Sequence, residues 1–418
     1  MFIVQAHQSP PRAQQNLATA SDAVGSVQFS DHLIETVTTM SSELELFRDN
    51  VVRFLRDEVE PRYDDWEKAG IFPASLYRQM GDNGLLCVDM PEAYGGMGAP
   101  FEFSMVVLEE VSRMGFLALA SNLSVHSDIA APYILHLGSE AQKQKYLPRM
   151  ASGECIGAIG MSEPGAGSDL QGIKTNALPA PDGDGYLING SKTFITNGQH
   201  AGVVVLATKT DPRAGAKGTT LFTFDTSLPG FKRGRNLEKV GLHSADTSEL
   251  FFDNVHIGAD EVLGKVGGGF GHLIDELPRE RLALAVTAVG HAQGALEKTV
   301  EYTTSRKAFG QPLASFQNTR FELAKCKTDI EVHRAFVEKC TALYAKGELD
   351  VPFAAMIKLA TTEMEGRVTD ACLQLFGGYG YMAEYPISRY WTDARIQRIY
   401  GGTSEIMKEV VARSLVGR

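Results

Sequence analysis

Residues Asp275–Gly290 read DELPRERLALAVTAVG, and the rest of the chain can be interpreted outward from them. Leu282, Val286 and Val289, continued by Leu296 and Val300, recur at intervals of three, four or seven residues. This spacing lays them along one face of an α-helix. Just upstream, Pro278 marks where that helix begins or bends. Glu276 and Glu280 are four apart and share a face, whereas Glu280 and Arg281, as neighbours, point apart. A carboxylate on an otherwise apolar helix costs free energy to bury unless something pairs with it or uses it. Glu280 therefore reads either as part of a solvated helix start or as a chemical group.

On either side the chain falls into blocks. After Gly267–Gly269 the helical period holds nearly to the C-terminus, interrupted by Phe309–Pro312 and Phe376–Gly380. Before it, Val203–Leu206, Thr219–Asp225 and Glu249–Asp253 are short strands between Gly-, Pro- and Asp-rich turns. Tyr186–Gly198 (YLINGSKTFITNG) carries Asn189-Gly190 between β-branched and aromatic residues, which predicts a hairpin. Earlier still, helical patterns occur at Ser41–Phe54, Ser75–Asn83, Phe101–Met114 and Ala141–Met150. The first of these is predicted to start at a capping box of Ser42 and Glu45. The expected layout is a mobile tail (1–30), a helical domain (31–152), a β domain (153–266) and a second helical domain (267–418).

The totals narrow the function classes. A chain of 418 residues with 44% hydrophobic and 22% charged side chains is that of an ordinary globular protein. Forty basic against 51 acidic residues give a net charge of −11, which disfavours nucleic-acid binding. No apolar run is long enough to span a bilayer. The five cysteines are scattered and read as buried thiols, and neither they nor the ten histidines show metal-ligand spacing. Met1–Val4 is too short for a signal peptide, and a single arginine in the tail makes a weak mitochondrial presequence. A bacterial cytoplasm is therefore favoured over a mitochondrial matrix.

Two glycine-rich stretches, Gly264–Gly271 and Gly165–Gly167, lack the spacing of a phosphate loop or a dinucleotide fingerprint. The missing alternation of strands and helices likewise disfavours a nicotinamide-binding domain. Met161–Asp169 (MSEPGAGSD) is more informative, with the Ser162 and Ser168 hydroxyls and several unhindered backbone N–H groups at the mouth of the β domain. Such a loop suits a planar ligand bearing a pyrophosphate. Thr193–Asn197 (TFITN) adds an aromatic at Phe194 and a hydroxyl at Thr196.

These motifs, followed by RKAFGQP (306–312), QLFGGYG (374–380) and DARIQRIYGGTSEIM (393–407), resemble the acyl-CoA dehydrogenase family in order and spacing, from about residue 40 onward. The resemblance implies an α+β fold: a helical N-terminal domain, a β-barrel or sandwich middle domain and a C-terminal four-helix bundle. It also implies FAD, held between domains and subunits of a homodimer or homotetramer. By position, Ile159, Met161, Ser162, Gly167, Ser168, Phe194, Ile195 and Thr196 would line the flavin, with Thr403, Ser404 and Glu405 completing that site. Arg306, Phe309, Gln317, Gln374, Leu375, Phe376, Gly377 and Gly378 match residues that reach the FAD of a neighbouring subunit. Ser168, Arg281, Gly401 and Gly402 match positions that touch the acyl-CoA substrate.

Gly401 is where the chain departs from most short- and medium-chain members, which carry the catalytic glutamate there. Long-chain and isovaleryl-type members place it immediately before an arginine on the helix quoted first, which here is Glu280. The α-proton of a thioester is weakly acidic, so its removal needs a carboxylate within reach and donors on the carbonyl oxygen. In the family, one donor is the backbone N–H at the position of Gly401, which survives the loss of the side chain. The vacated room is expected to admit a carboxylate from the other helix. The resemblance implies that bound FAD would accept the β-hydride at N5, giving trans-2-enoyl-CoA. Glu276 is the rival base, and two carboxylates on one face would raise the pKa of one of them.

The resemblance further implies electron transfer flavoprotein as the electron acceptor. Acyl chain length and branching stay open. So do an oxygen-using oxidase or monooxygenase on the same fold, and a non-catalytic flavoprotein.

Overall fold

The computed structural model describes residues 31–181 and 183–417, and of residues 31–41 the backbone alone. The tail expected over residues 1–30 lies outside the described residues. Residues from Leu46 onward form one compact unit; those up to Glu45 belong to another, of which the helical backbone from Asp31 is described.

Helices come first: α1 (Asp31–Phe54), α2 (Tyr63–Ala69), α3 (Ala74–Asp82), α4 (Phe101–Arg113), α5 (Leu117–Leu123), α6 (Ala131–Leu137) and α7 (Glu140–Ala151). The start predicted at Ser42 is wrong. No glycine or proline interrupts Asp31–Met40, so the helix runs through Ser42 and Glu45 from upstream. A true capping box opens α7, where Ser139 Oγ accepts from the Gln142 N–H and Gln142 Oε1 accepts from the Ser139 N–H. The patterns at 75–83, 101–114 and 141–150 correspond to α3, α4 and α7. Helices α5 and α6, with the π-helical turn Ser124–Ala130 between them, were not anticipated. Every residue of α5 is buried, so its sequence carries no polar stripe to reveal the period.

The strands β1 (Ile156–Gly160), β2 (Asn176–Pro179), β3 (Tyr186–Thr196), β4 (Ala201–Lys209), β5 (Thr219–Asp225), β6 (Phe231–Asn236), β7 (Thr247–Ile257) and β8 (Val262–Leu263) follow. They form one sheet in the order β6-β7-β3-β2-β4-β5-β8, with β1 parallel to β4. Asn189-Gly190 is not the predicted hairpin turn: β3 continues through it, and the register against β7 shifts at Gly190. Gly190 has φ +143°, and a Cβ there would lie 2.7 Å from the Thr175 Cα. Close backbone approach at a bulge, rather than chain reversal, is what requires this glycine.

Strand β4 joins two cores. Val204 and Leu206 pack with Phe222, Phe224, Leu250 and Phe252 in the sheet's own core. Val203, Val205 and Ala207 face the other way, onto Tyr133, Ile134, Leu147 and Met150 of the helices. Coverage on both faces explains why β4 is an unbroken apolar run rather than an alternating one.

The last block contains α8 (Gly269–Ser305), a ribbon of β9 (Lys307–Ala308) and β10 (Gln311–Pro312), α9 (Gln317–Ala345), α10 (Val351–Phe376), α11 (Pro386–Gln397) and α12 (Ser404–Val416). Helix α8 starts at Gly269 and passes through Pro278, so the proline is interior and not a beginning. Leu282, Val286, Val289 and Leu296 are buried, each contributing about 1.5–3 kcal/mol. Val300, predicted to share their face, is 41% exposed. At about 100° per residue it lies on the same line as Leu282, so the difference lies in what covers that end of α8 and not in the helical phase. All five cysteines are buried and free. No helix of the described residues is long and apolar enough to cross a membrane.

Candidate active site

Pro278 cannot donate a helical hydrogen bond, and the turn that follows it is anchored by side chains instead. Arg279 makes a bidentate pair with Asp89, a 2.9 Å bond to Asp128 Oδ1 and a 3.1 Å bond to the Asp128 carbonyl. Glu280, the next residue, points away from this cluster and is buried at 4% exposure. Its partner is the hydroxyl of Tyr133 on α6, which donates to Oε1 at 2.9 Å. Burial pushes the Glu280 carboxyl up to about 7, the Tyr133 bond pulls against this, and the like charge of Glu276 adds to it. Glu276, one turn earlier, is bonded instead to His136 Nδ1 at 2.7 Å and is only half-buried. Arg281 is 4% exposed, yet its Nε has no hydrogen-bond partner and its guanidinium makes only a long 3.5 Å bond to the Val351 carbonyl. Tyr133, His136, Arg279, Asp89 and Asp128 were missed from sequence. The available signal was a tyrosine and a histidine three apart in the apolar segment APYILHL.

One turn beyond Glu280 on the same face, α8 meets Gly401. A Cβ on Gly401 would lie 2.4 Å from Leu284 Cδ1, and the backbone there has φ +62°. The room left by the missing side chain is therefore filled by Leu284, not by the Glu280 carboxylate as expected. A leucine i+4 from the glutamate reaches the gap first. The turn is tied down by Lys358, a buried side chain whose Nζ donates to the Gly402 carbonyl at 2.7 Å; burial lowers its pKa to about 8. Thr403 caps α12 by accepting from the Ile406 N–H, Ser404 donates to Glu363 at 2.6 Å, and Glu405 is exposed.

The loop after β1 forms a second cluster. Ile159, Met161 and Ser162 are half-buried, and Gly167 and Ser168 are exposed. A Cβ on Gly165 or Gly167 would meet nothing within 4 Å, so the loop leaves an open cradle. Beneath it, Glu163 accepts from Lys192 Nζ at 2.7 Å and from the N–H groups of Lys174 and Thr175. Lys192 also donates to the Met161 carbonyl. Glu163 and Lys192 were likewise missed from sequence. Burial alone would raise the Glu163 carboxyl, but Lys192 and the N–H donors hold it below its ordinary value. Beside the cradle, Phe194 is 70% exposed with φ +59°, an unusual conformation for an aromatic residue, and Thr196 is half-buried. Ile195 points inward to the sheet core, leaving only its backbone for a ligand. An open loop rich in backbone N–H groups, an exposed ring and flanking hydroxyls fit the flat ring system and pyrophosphate of FAD.

Arg306, Gln374, Leu375, Phe376, Gly377 and Gly378 line a separate cavity with Tyr302, Leu313, Thr319, Tyr379 and Met382. Phe309, 96% exposed at the tip of the β9–β10 ribbon, and the exposed Gln317 lie outside that lining. No residue of the β1 loop lines it either.

Comparison with known proteins places these clusters in a family. The acyl-CoA dehydrogenase N-terminal, middle and C-terminal domain models match residues 41–154, 158–255 and 267–416. The mitochondrial long-chain specific acyl-CoA dehydrogenase of Sus scrofa is 44% identical over 378 residues, 90% of this chain and 87% of that protein. An acyl-CoA dehydrogenase structure from Geobacillus kaustophilus superposes with a TM-score of 0.87 at 45% identity, covering 90% of this chain and 98% of that one. A glutaryl-CoA dehydrogenase from Mycobacterium smegmatis, in complex with FADH2, gives 0.85 at 27% identity over 92% and 97% of the two chains. With all three domain models matched and a relative this similar over nine-tenths of its length, the chain is a member of the acyl-CoA dehydrogenase family of FAD-dependent oxidoreductases.

Proposed function

We propose that this enzyme desaturates an acyl-CoA thioester to the trans-2-enoyl-CoA, with Glu280 as the base that removes the α-proton. The reading is carried by one observation: Glu280 is a buried, weakly compensated carboxylate one turn from the Leu284–Gly401 contact, and position 401 has no carboxylate. With a pKa near 7, Glu280 is ionised in a useful fraction at neutral pH and still basic enough to accept the proton. Glu276 is the weaker candidate, because its carboxylate is bonded to His136. The Gly401 N–H polarises the thioester carbonyl, and Lys358 keeps that turn in place through Gly402. Arg281, with its unpaired Nε, is poised for the CoA portion along with Ser168.

Bound FAD supplies the acceptor for the β-hydride. The cradle from Ile159 to Ser168, with Phe194 and Thr196, would hold it, completed by Thr403, Ser404 and Glu405. The cavity at Arg306 and Gln374–Gly378, with Phe309 and Gln317, would serve the FAD of a second copy, making the working form at least a homodimer. Electron transfer flavoprotein is the proposed acceptor. Functional boundaries at 31–152, 153–266 and 267–418 suit this division of labour. Relatives include the mitochondrial protein of Sus scrofa and one from Bacillus subtilis.

The test is anaerobic titration of the holoenzyme with acyl-CoAs graded in length and branching, following the visible flavin band. Wild type is expected to bleach with one class of chain, and Glu280→Gln to bleach at least about 100-fold more slowly. Unimpaired bleaching in Glu280→Gln, with loss in Glu276→Gln, would transfer the role to Glu276.

A further inference from the structure

We propose that Tyr133 is a positioning residue for the base: its hydroxyl engages one carboxylate oxygen of Glu280 and so aims the other at the substrate's α-carbon. The inference rests on Glu280 being the base. Tyr133 is 1% exposed, and its ring is packed in the core shared by the helices and β4, near Ile134, Leu147 and Met150. A phenylalanine would fill that space equally well. A buried hydroxyl is costly without a partner, and the partner of this one is Glu280 Oε1 at 2.9 Å.

The contact is one rung of two. Three residues on, His136 of the same helix meets Glu276 at 2.7 Å, so residues 133 and 136 of α6 face residues 280 and 276 of α8. The groups bearing on Glu280 are therefore Glu276 and Arg281 from its own helix and Tyr133 from α6, with His136 acting on Glu276. Among the described residues, only Tyr133 hydrogen-bonds the carboxylate. A donor fixed by core packing holds the carboxylate in one orientation, as the third member of a nucleophile–base constellation holds its base. It also stabilises the ionised form, the only form that can take a proton.

The experiment compares holoenzymes carrying Tyr133→Phe, Tyr133→Gln and, at position 133 alone, 3-fluorotyrosine. The protonation midpoint of Glu280 is read from its carboxylic acid C=O stretch, as an infrared difference against the same protein with Glu280→Gln. The pH profile of kcat/KM is measured in parallel. With Tyr133→Phe, the midpoint and the acid limb are expected to move up together by about one pH unit. kcat/KM then falls about tenfold below the wild-type midpoint and recovers at alkaline pH. Tyr133→Gln retains an N–H donor and should restore most of the shift. The fluorinated phenol is a stronger donor that leaves the packing intact, and it should move the midpoint down. A loss that is equal at every pH, with coincident infrared midpoints, would show that the tyrosine only packs, and the assignment would fall. Should the fluorinated protein alone fold, an unmoved midpoint overturns it equally. If Glu280→Gln still bleaches normally, the base reading fails and takes this inference with it, whatever the infrared midpoints show.

Discussion

Glu163 and Glu280 are both buried glutamates at the edge of the proposed site, and they behave in opposite ways. Glu163, under the β1 loop, is surrounded by an ammonium and two backbone N–H groups, which hold its pKa below the ordinary value. Glu280 has one phenolic hydroxyl and a like charge one turn away, and its pKa is pushed up to about 7. The first carboxylate is fully engaged and holds a loop in shape. The second is left short of partners and so retains the basicity that the proposed proton abstraction would need. Burial does not distinguish a structural carboxylate from a reactive one; the donors around it do.

The contrast can be broken most severely at the Glu163 end. Lys192→Met should strand a buried carboxylate and destabilise the protein by about 3–5 kcal/mol, read by urea unfolding, with weakened FAD retention. A loss below about 1 kcal/mol would mean that the pair does not hold the loop. Glu280→Gln, by comparison, should leave stability unchanged or higher at neutral pH.

The two residues should also give opposite pH slopes. Glu280 has a raised folded pKa, so its contribution is fully present below its unfolded pKa and is lost as pH rises through about 7. The difference between wild type and Glu280→Gln should therefore change by roughly 3 kcal/mol across that window. The contribution of Glu163, whose pKa is lowered, is present above its unfolded pKa and is lost as pH falls. Parallel slopes for Glu280→Gln and Glu163→Gln, each taken against wild type, would remove the distinction drawn here.

The smallest effect concerns the room beside Gly401. Gly401→Ala should cost about 1–3 kcal/mol, through contact with Leu284 and the left-handed backbone, and Leu284→Ala should relieve the first part. Additive losses in the double variant would mean that Leu284 does not fill that space.

Much of this was legible in the sequence because it is written in local patterns. The order of helices, strands and helices follows from periodicity, and Glu280 stood out as a carboxylate on an apolar helix. What escaped depended on contacts across the chain. Gly190 reads as a turn until Thr175 is seen pressed against it. Tyr133 lies 147 residues before Glu280, and no spacing rule links them. Leu284 stands in the stretch quoted first, but its place beside Gly401 needed α8 to meet the turn before α12. Helix α5 was hidden because it is buried all round.

Helix α8 runs unbroken from Gly269 to Ser305, with Glu280 in its second quarter and Arg306 immediately past its end. At about 1.5 Å per residue, these two positions lie roughly 39 Å apart on one rod. The helix is thus a ruler. It fixes how far the proposed base stands from the cavity proposed to serve a second copy. A twofold axis relating two such chains would have to match that length at both ends at once, so an insertion or deletion within α8 would spoil the fit of the pair before it disturbed the chemistry of either member.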